Sequence, residues 1–267
     1  MERPLSICHN GRSLIPAAET MKQKPIEDRF YNARNDPSLV VIEGFHPLKH
    51  AIRFGAELLE VVSPDLTELA ALQAEYAPDI GKAFQSQVMQ VPNHVFERLG
   101  PMTPPTGVMA IARRPTVKLA ELLDDPAPTP VVLLENPRNL FNIGAAVRAA
   151  AAAGAAGVIN TGNLDPWKPA ALTSGVGLQF ALPVSNSADL PSSDRPLVAV
   201  DLGGDSLSDF RLPYRALLAF GTERQGLSQE LLDQADHRVS IPMENGVSSL
   251  NLATSVAVVL YHWKLGQ

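Results

Sequence analysis

Apolar side chains recur along the chain in two stretches where short runs alternate with helical periods. In the first, Leu39 to Glu43 reads as a strand, Gly44 as a turn, and His46 to Phe54 as a short helix with Leu48 and Ile52 inward. Leu58 to Val62 is a second strand, Leu66 to Tyr76 a helix, Gln87 to Val91 a third strand, Asn93 to Leu99 a short helix, and Gly107 to Ala112 a fourth strand. In the second stretch, Val131–Leu134, Gly157–Asn160, Leu197–Asp201, Leu217–Phe220 and Val239–Ile241 are apolar runs without strict alternation. That pattern belongs to a parallel sheet whose two faces are both covered by helices. The fold class it predicts is α/β.

Residues 1–37 lack strong periodicity and read as an N-terminal arm with one short helix near Ile26 to Arg34. Between the two periodic stretches, Asp124-Asp125-Pro126-Ala127-Pro128-Thr129-Pro130 has a proline at every second position, which favours an extended, semi-rigid spacer. The expected organisation is therefore an arm over 1–37, a small α/β domain over 38–114, a proline-rich linker over 115–130 and a second α/β domain over 131–267.

Composition narrows this picture without redirecting it. The chain has 267 residues, enough for two cores, with 45% hydrophobic and 19% charged residues, as in an ordinary globular protein. The longest charge-poor stretch, after Ile143, is mostly alanine and contains Arg148, so no bilayer span is expected. The start, Met1-Glu2-Arg3-Pro4, lacks the apolar core of a signal peptide. A single cysteine, Cys8, excludes an internal disulfide and a cysteine-built zinc site, and fits a reducing cytoplasm. The formal net charge of −6 is uneven: residues 1–118 hold 13 basic against 13 acidic side chains, and residues 119–267 hold 9 against 15. A polyanionic partner must therefore be met by a local patch.

Three stretches carry candidate chemistry. The segment Gly144 to Gly157 reads as a helix in which nine of fourteen residues are alanine, and Arg148 is the only charged side chain between Asn139 and Leu164. A guanidinium in such surroundings either snorkels to the surface or faces a polar cavity. Asn142 lies six residues before it, at the loop leading into that helix. The second stretch, Leu217 to Ser228, is a buried strand ending in a turn with Gly221, Glu223 and Gly226, at a strand end where α/β sheets bind ligands. The third runs from a strand at Arg238 to Ile241, through Pro242 and Gly246, into a helix expected to start at Ser248 or Ser249. Asn251 is an amide in its otherwise apolar first turn, either a local helix-start residue or part of a site.

Other motifs are weaker. Gly175-Val176-Gly177 lacks the rest of a dinucleotide fingerprint, and no nucleophile elbow surrounds Ser174. Asp201-Leu202-Gly203-Gly204-Asp205 reads as a polar turn before it reads as a metal site. His46 and His50, at i,i+4, read as one face of a helix, and no metal is expected.

Taken in order, Asn142-Ile143-Gly144-Ala145-Ala146-Val147-Arg148-Ala149-Ala150, then Phe220-Gly221-Thr222-Glu223-Arg224-Gln225-Gly226-Leu227, then Ile241-Pro242-Met243 through Gly246 to Ser249-Leu250-Asn251-Leu252-Ala253, resemble the three motifs of the SpoU (TrmH-type) RNA 2′-O-ribose methyltransferases of the SPOUT superfamily. The first domain is similar in layout to the ribosomal-protein-L30e-like domain that often precedes this catalytic domain and binds RNA. The resemblance implies a parallel-sheet domain with a C-terminal deep trefoil knot, a rare exception to unknotted chains. It implies S-adenosyl-L-methionine as methyl donor, with Gly221, Ile241 and Leu250 contacting it, and a homodimer with the active site near the interface. It implies catalytic positions at Arg148, Asn142, Glu223, Ser249 and Asn251. Arg148 is the family's proposed base, or an electrostatic clamp, since a guanidinium resists deprotonation.

The chain departs from the family where Asp-Pro usually precedes the motif asparagine: Asn139 and Leu140 stand there, and Pro137 falls earlier. Ser248 stands where many members carry glutamate. The activity implied is 2′-O-methylation of a ribose in structured RNA, ribosomal rather than transfer RNA given the appended domain. The alternative is an inactive knotted RNA-binding or ribosome-assembly protein, motivated by the altered first motif and the missing positive charge.

Overall fold

The structure, a computed structural model, describes residues 24–266 apart from 82, 83, 85, 86, 189, 223 and 224. Cys8 and Glu223 lie outside the described residues.

Helix α1 (Ile26–Asn35) opens the chain and buries Phe30 and Ala33. Then come β1 (Leu39–Glu43), α2 (Phe45–Arg53), β2 (Leu58–Ser63), α3 (Leu66–Tyr76), β3 (Val88–Gln90), α4 (Asn93–Phe96) and β4 (Met109–Arg113). Their sheet runs β1-β4-β2-β3; β4 is antiparallel to both neighbours and β3 is parallel to β2. Asp65 caps α3 by accepting from the Thr67 and Glu68 backbone N–H groups. Two part-buried ion pairs, Arg29 with Glu60 and Arg34 with Glu43, fix α1 on this sheet.

Helix α5 (Leu119–Asp124) lies inside the stretch expected to be a spacer. Its Leu122 and Leu123 enter the core, and two arginines hold the following residues down. Arg195, 3% exposed, donates to the carbonyls of Leu122, Leu123, Asp125 and Thr129, while Arg215 donates to those of Leu123 and Asp125. A helix end left without backbone partners is thereby satisfied by side chains distant in sequence. The proline rhythm shows none of this, because the partners lie about 70 residues downstream.

The second sheet comprises β5 (Val131–Leu134), β6 (Gly157–Asn160), β7 (Val184–Asn186), β8 (Leu197–Ser206), β9 (Leu217–Phe220) and β10 (His237–Ser240), in the order β10-β8-β9-β5-β6-β7. Every pairing is parallel. The central strands β5, β6 and β9 are buried at all positions, as their unbroken apolar runs require. One face carries α6 (Leu140–Ala153), α7 (Pro169–Ser174) and α9 (Leu252–Leu265); the other packs against α5 and α8 (Gln229–Gln234). The core on the α6 side continues into the first sheet through Val40, Ile42, Phe45 and Leu48.

Besides α5, and β7, which is a sixth strand where five were expected, three further elements differ from expectation. Helix α6 begins four residues earlier than Gly144, because Asn139 accepts from the Phe141 N–H and so starts the helix, and it stops at left-handed Gly154 (φ 83°). Helix α9 begins at Leu252 rather than at Ser248 or Ser249: Asn251 is its cap, and the serines stay in the loop. Strand β8 runs on through Asp201 to Ser206, where a polar turn was expected. Its pairing to β10 jumps from Ala199↔Arg238 to Asp205↔Val239, so the residues between bulge outward.

The alanines of α6 act within the chain. Ala146, Ala150 and Ala153 are buried, and a Cβ on Gly144 would collide with the Ala171 carbonyl and the Ser174 hydroxyl of α7.

Candidate active site

A cleft of about 270 Å³ opens at the carboxyl ends of β8, β9 and β10, where ligands bind in open α/β sheets. Its apolar walls are Val200, Phe220, Ile241, Leu250 and Leu252. Its polar lining is Asp201, Thr222, Gln225, Ser248, Ser249 and Ser255, with glycine backbone at Gly221 and Gly226.

The turn after β9 is tight. Thr222 and Gly226 exchange both backbone hydrogen bonds at 3.0 Å, and any Cβ on Gly221 would run into the Gly226 and Leu227 backbone. Glycine is needed here because a backbone passes where a side chain would stand. The turn is tied to β5 by Glu135, whose carboxylate accepts from the Ser228 N–H at 2.7 Å and the Ser228 hydroxyl at 2.6 Å. Ser228 in turn caps α8 through the Leu231 N–H.

Across the cleft, the entrance to α9 meets the first turn of α6. Asn251 accepts from the backbone N–H groups of Ala253 and Thr254 and donates its amide to Asn142 Oδ1 at 2.9 Å. The two readings open for Asn251 are thus both realised: one end of the amide caps the helix and the other touches a motif residue 109 positions away. At the far ends Lys264 donates to the Ala152 carbonyl, so α6 and α9 run side by side in the same direction.

Of the residues singled out by sequence, Gly221, Ile241, Ser249 and Leu250 line the cleft. Asn142 and Asn251 form the pair at its α6 side. Arg148 stands apart: it is exposed on α6, two turns beyond Asn142, and does not line the cleft. Its charge, after those of Lys49 and Arg53, acts on His50 of α2. Burial in the first place, and these cations after it, hold the His50 imidazole below its ordinary range, while its Nδ1–H donates to the Val176 carbonyl at 2.6 Å. This contact joins the two α/β units at a strained point, because Val176 is a β-branched residue at φ 47°.

Two contributors were not assigned to the site from sequence, Asp201 having been read as part of a polar turn. Asp201 enters the cleft from the bulge in β8, and Glu135 holds the Gly221 turn from outside it. The only hint was a carboxylate directly after an apolar run in each case. No group of His, Cys, Asp and Glu able to hold a metal occurs among the described residues.

Comparison with known proteins shows the family. Residues 129–261 match the profile of the SpoU rRNA Methylase family. The chain is 28% identical over 251 residues to a 23S rRNA (uridine(2479)-2′-O)-methyltransferase of Streptomyces viridochromogenes, spanning 86% of this chain and 84% of that one. It is 26% identical over 239 residues to the 23S rRNA (guanosine(2553)-2′-O)-methyltransferase RlmP of Bacillus subtilis, spanning 86% and 90%. Among solved structures, the SpoU methyltransferase AviRb from Streptomyces viridochromogenes in complex with AdoMet superposes with a TM-score of 0.73 at 23% identity, over 91% of this chain and 98% of that one.

Proposed function

This chain belongs to the SpoU rRNA Methylase family, and from that membership we propose that it is an S-adenosylmethionine-dependent methyltransferase acting on a ribose 2′-hydroxyl of ribosomal RNA. The observation that carries the reading is the cleft itself. Residues from the second and third motif stretches line it, and the Asn142–Asn251 hydrogen bond ties the first stretch to its rim. Relatives named as 2′-O-methyltransferases along nearly their whole length favour turnover over the inactive RNA-binding alternative.

The lining fits the donor. Apolar walls suit an adenine, the Gly221 backbone presents peptide groups to its polar edge, and the serine and threonine hydroxyls suit ribose and amino-acid ends. When bound, S-adenosylmethionine supplies an electrophilic methyl group on a sulfonium. The protein's task is to hold an acceptor oxygen in line at about 3–3.5 Å, and orientation of that kind can lower a barrier by roughly 7–11 kcal/mol. We assign the holding of the donor to Gly221, Ile241 and Leu250, and the ordering of the acceptor side to Asn142, Ser249 and Asn251.

Arg148 is read as an electrostatic clamp on the acceptor ribose or its phosphate, since arginine keeps its charge in proteins. Its exposed position outside the chain's own cleft supports a homodimeric site. The α6–α9 pair also exposes apolar side chains: Phe141 on α6 is 59% exposed, and Val258, Tyr261 (41%) and Leu265 (81%) recur at helical spacing on α9. We read this face as covered by a second copy, which brings Arg148 to a neighbouring cleft. We likewise read the passage from β10 through 241–251 into α9 as the threaded segment of a trefoil knot, residues 38–114 as the L30e-like RNA-binding unit, and the cytoplasm as the place of action.

Incubating the protein with tritiated donor and ribosomal RNA from cells lacking it, then mapping ribose methylation, tests the reading. Incorporation at one ribose that disappears in Arg148→Ala is the expected result; no transfer to any RNA by the intact protein refutes it.

A further inference from the structure

Asp201 is the one charged side chain among the described residues that line the cleft. Its position is built: the register jump between β8 and β10 throws residues 200–204 out of the ladder with β10, the β9 ladder ends at Val200, and Gly204 allows this because a Cβ there would strike the Arg238 and Val239 backbone. The two carboxylate oxygens have different surroundings. Oδ2 accepts from the Gly203 N–H at 3.0 Å. Oδ1 is directed at the opposite wall, 3.9 Å from where a Cβ on Gly226 would stand. The group is half-buried, so its field is less screened by water than that of a surface carboxylate.

We propose that Asp201 reads the positive charge of the methyl donor, so that the cleft holds the donor more tightly than the demethylated product. The inference rests on the donor assignment above. On transfer the methyl carbon–sulfur bond breaks with its electron pair left on sulfur, the ribose oxygen gains the methyl group, and its proton passes to solvent. A ligand with a sulfonium, an ammonium and a carboxylate, positive by one charge, becomes a thioether with no net charge. A fixed anion on the cleft wall loses its attraction for the ligand at that step, which favours exchange of spent product for fresh donor.

The test is calorimetric binding of S-adenosylmethionine, S-adenosylhomocysteine and sinefungin, which replaces the sulfonium by a second amine, to the full chain. In Asp201→Asn the carboxamide oxygen still accepts from the Gly203 N–H while the charge is gone. The expected result is about a tenfold loss of affinity for the two positively charged ligands and less than about a twofold change for the neutral one, with Asp201→Glu retaining the wild-type preference. Equal weakening of all three, or no change in any, overturns the proposal while leaving the donor assignment intact. Failure of the wild type to bind any of them removes the donor assignment and this inference together. Should Asp201→Asn not fold, added salt applied to the wild type decides: it must weaken the charged ligands and spare the neutral one, and parallel behaviour overturns the proposal.

Discussion

Replacing Gly221 by alanine puts a single methyl group where the chain has no room for one. The Cβ would sit inside the backbone of Gly226 and Leu227, so the turn must open. Opening it breaks the reciprocal pair between Thr222 and Gly226, two hydrogen bonds of 3.0 Å. At about 0.5–1.5 kcal/mol each, these account for roughly 1–3 kcal/mol. Displacing packed backbone adds a further ~1–3 kcal/mol. A loss of about 2–4 kcal/mol follows, since the turn is partly exposed and relaxes in part. At roughly 2–4 °C per kcal/mol for a chain of this size, Tm should fall by about 4–16 °C. The same movement shifts the peptide groups on the cleft wall, so donor affinity should fall more than tenfold even at temperatures where the variant is folded. Thermal unfolding followed by circular dichroism, with and without donor, reads both effects. Gly221→Ala with wild-type Tm and a wild-type donor-induced Tm increase would refute the argument that a backbone approach fixes this residue.

Four further outcomes follow from other contacts. Asn251→Asp keeps the cap acceptors for Ala253 and Thr254 but cannot donate to Asn142, so stability should change by less than about 1 kcal/mol while methyl transfer drops at unchanged donor affinity; a loss of stability without loss of transfer would mean that the amide serves the helix alone. Glu135→Ala removes both hydrogen bonds to Ser228 and should cost about 1.5–3 kcal/mol and weaken donor binding, read by urea unfolding and calorimetry. Arg195→Ala takes the side-chain donor from the Leu122 and Thr129 carbonyls, while those of Leu123 and Asp125 keep Arg215, and should cost about 2–4 kcal/mol, measured by urea unfolding. Burial holds the folded-state pKa of His50 below the ordinary imidazole value of about 6.5, so the unfolded chain binds the proton more readily, and stability present above that pH is lost as pH falls through the folded pKa. His50→Gln should flatten that part of the stability–pH profile, and an unchanged slope would show that His50 titrates alike in both states.

Much of the second sheet was legible in the chain because burial on two faces leaves a plain trace. Val131–Leu134, Gly157–Asn160 and Leu217–Phe220 are unbroken apolar runs, and each is a strand with those bounds. The cleft residues Gly221, Ile241, Ser249 and Leu250 were legible through the order of the three motif stretches. Helix starts were less legible. Serine, asparagine and aspartate are all good caps, and only the path of the chain decides that Asn251 rather than Ser248 or Ser249 turns into α9.

What sequence alone determined was the α/β class, the strands of the sheet interior and the chemical character of the three motif stretches, because these depend on side-chain period and on local backbone freedom. Tertiary structure alone decided the rest. It joined Asn142 to Asn251, anchored the Gly221 turn through Glu135, carried Asp201 into the cleft on a bulge and set Arg148 outside it. It also sealed the proline-rich stretch under two arginines. Each of these depends on a hydrogen bond or an approach between segments far apart in the chain, and such partners leave no periodicity to read.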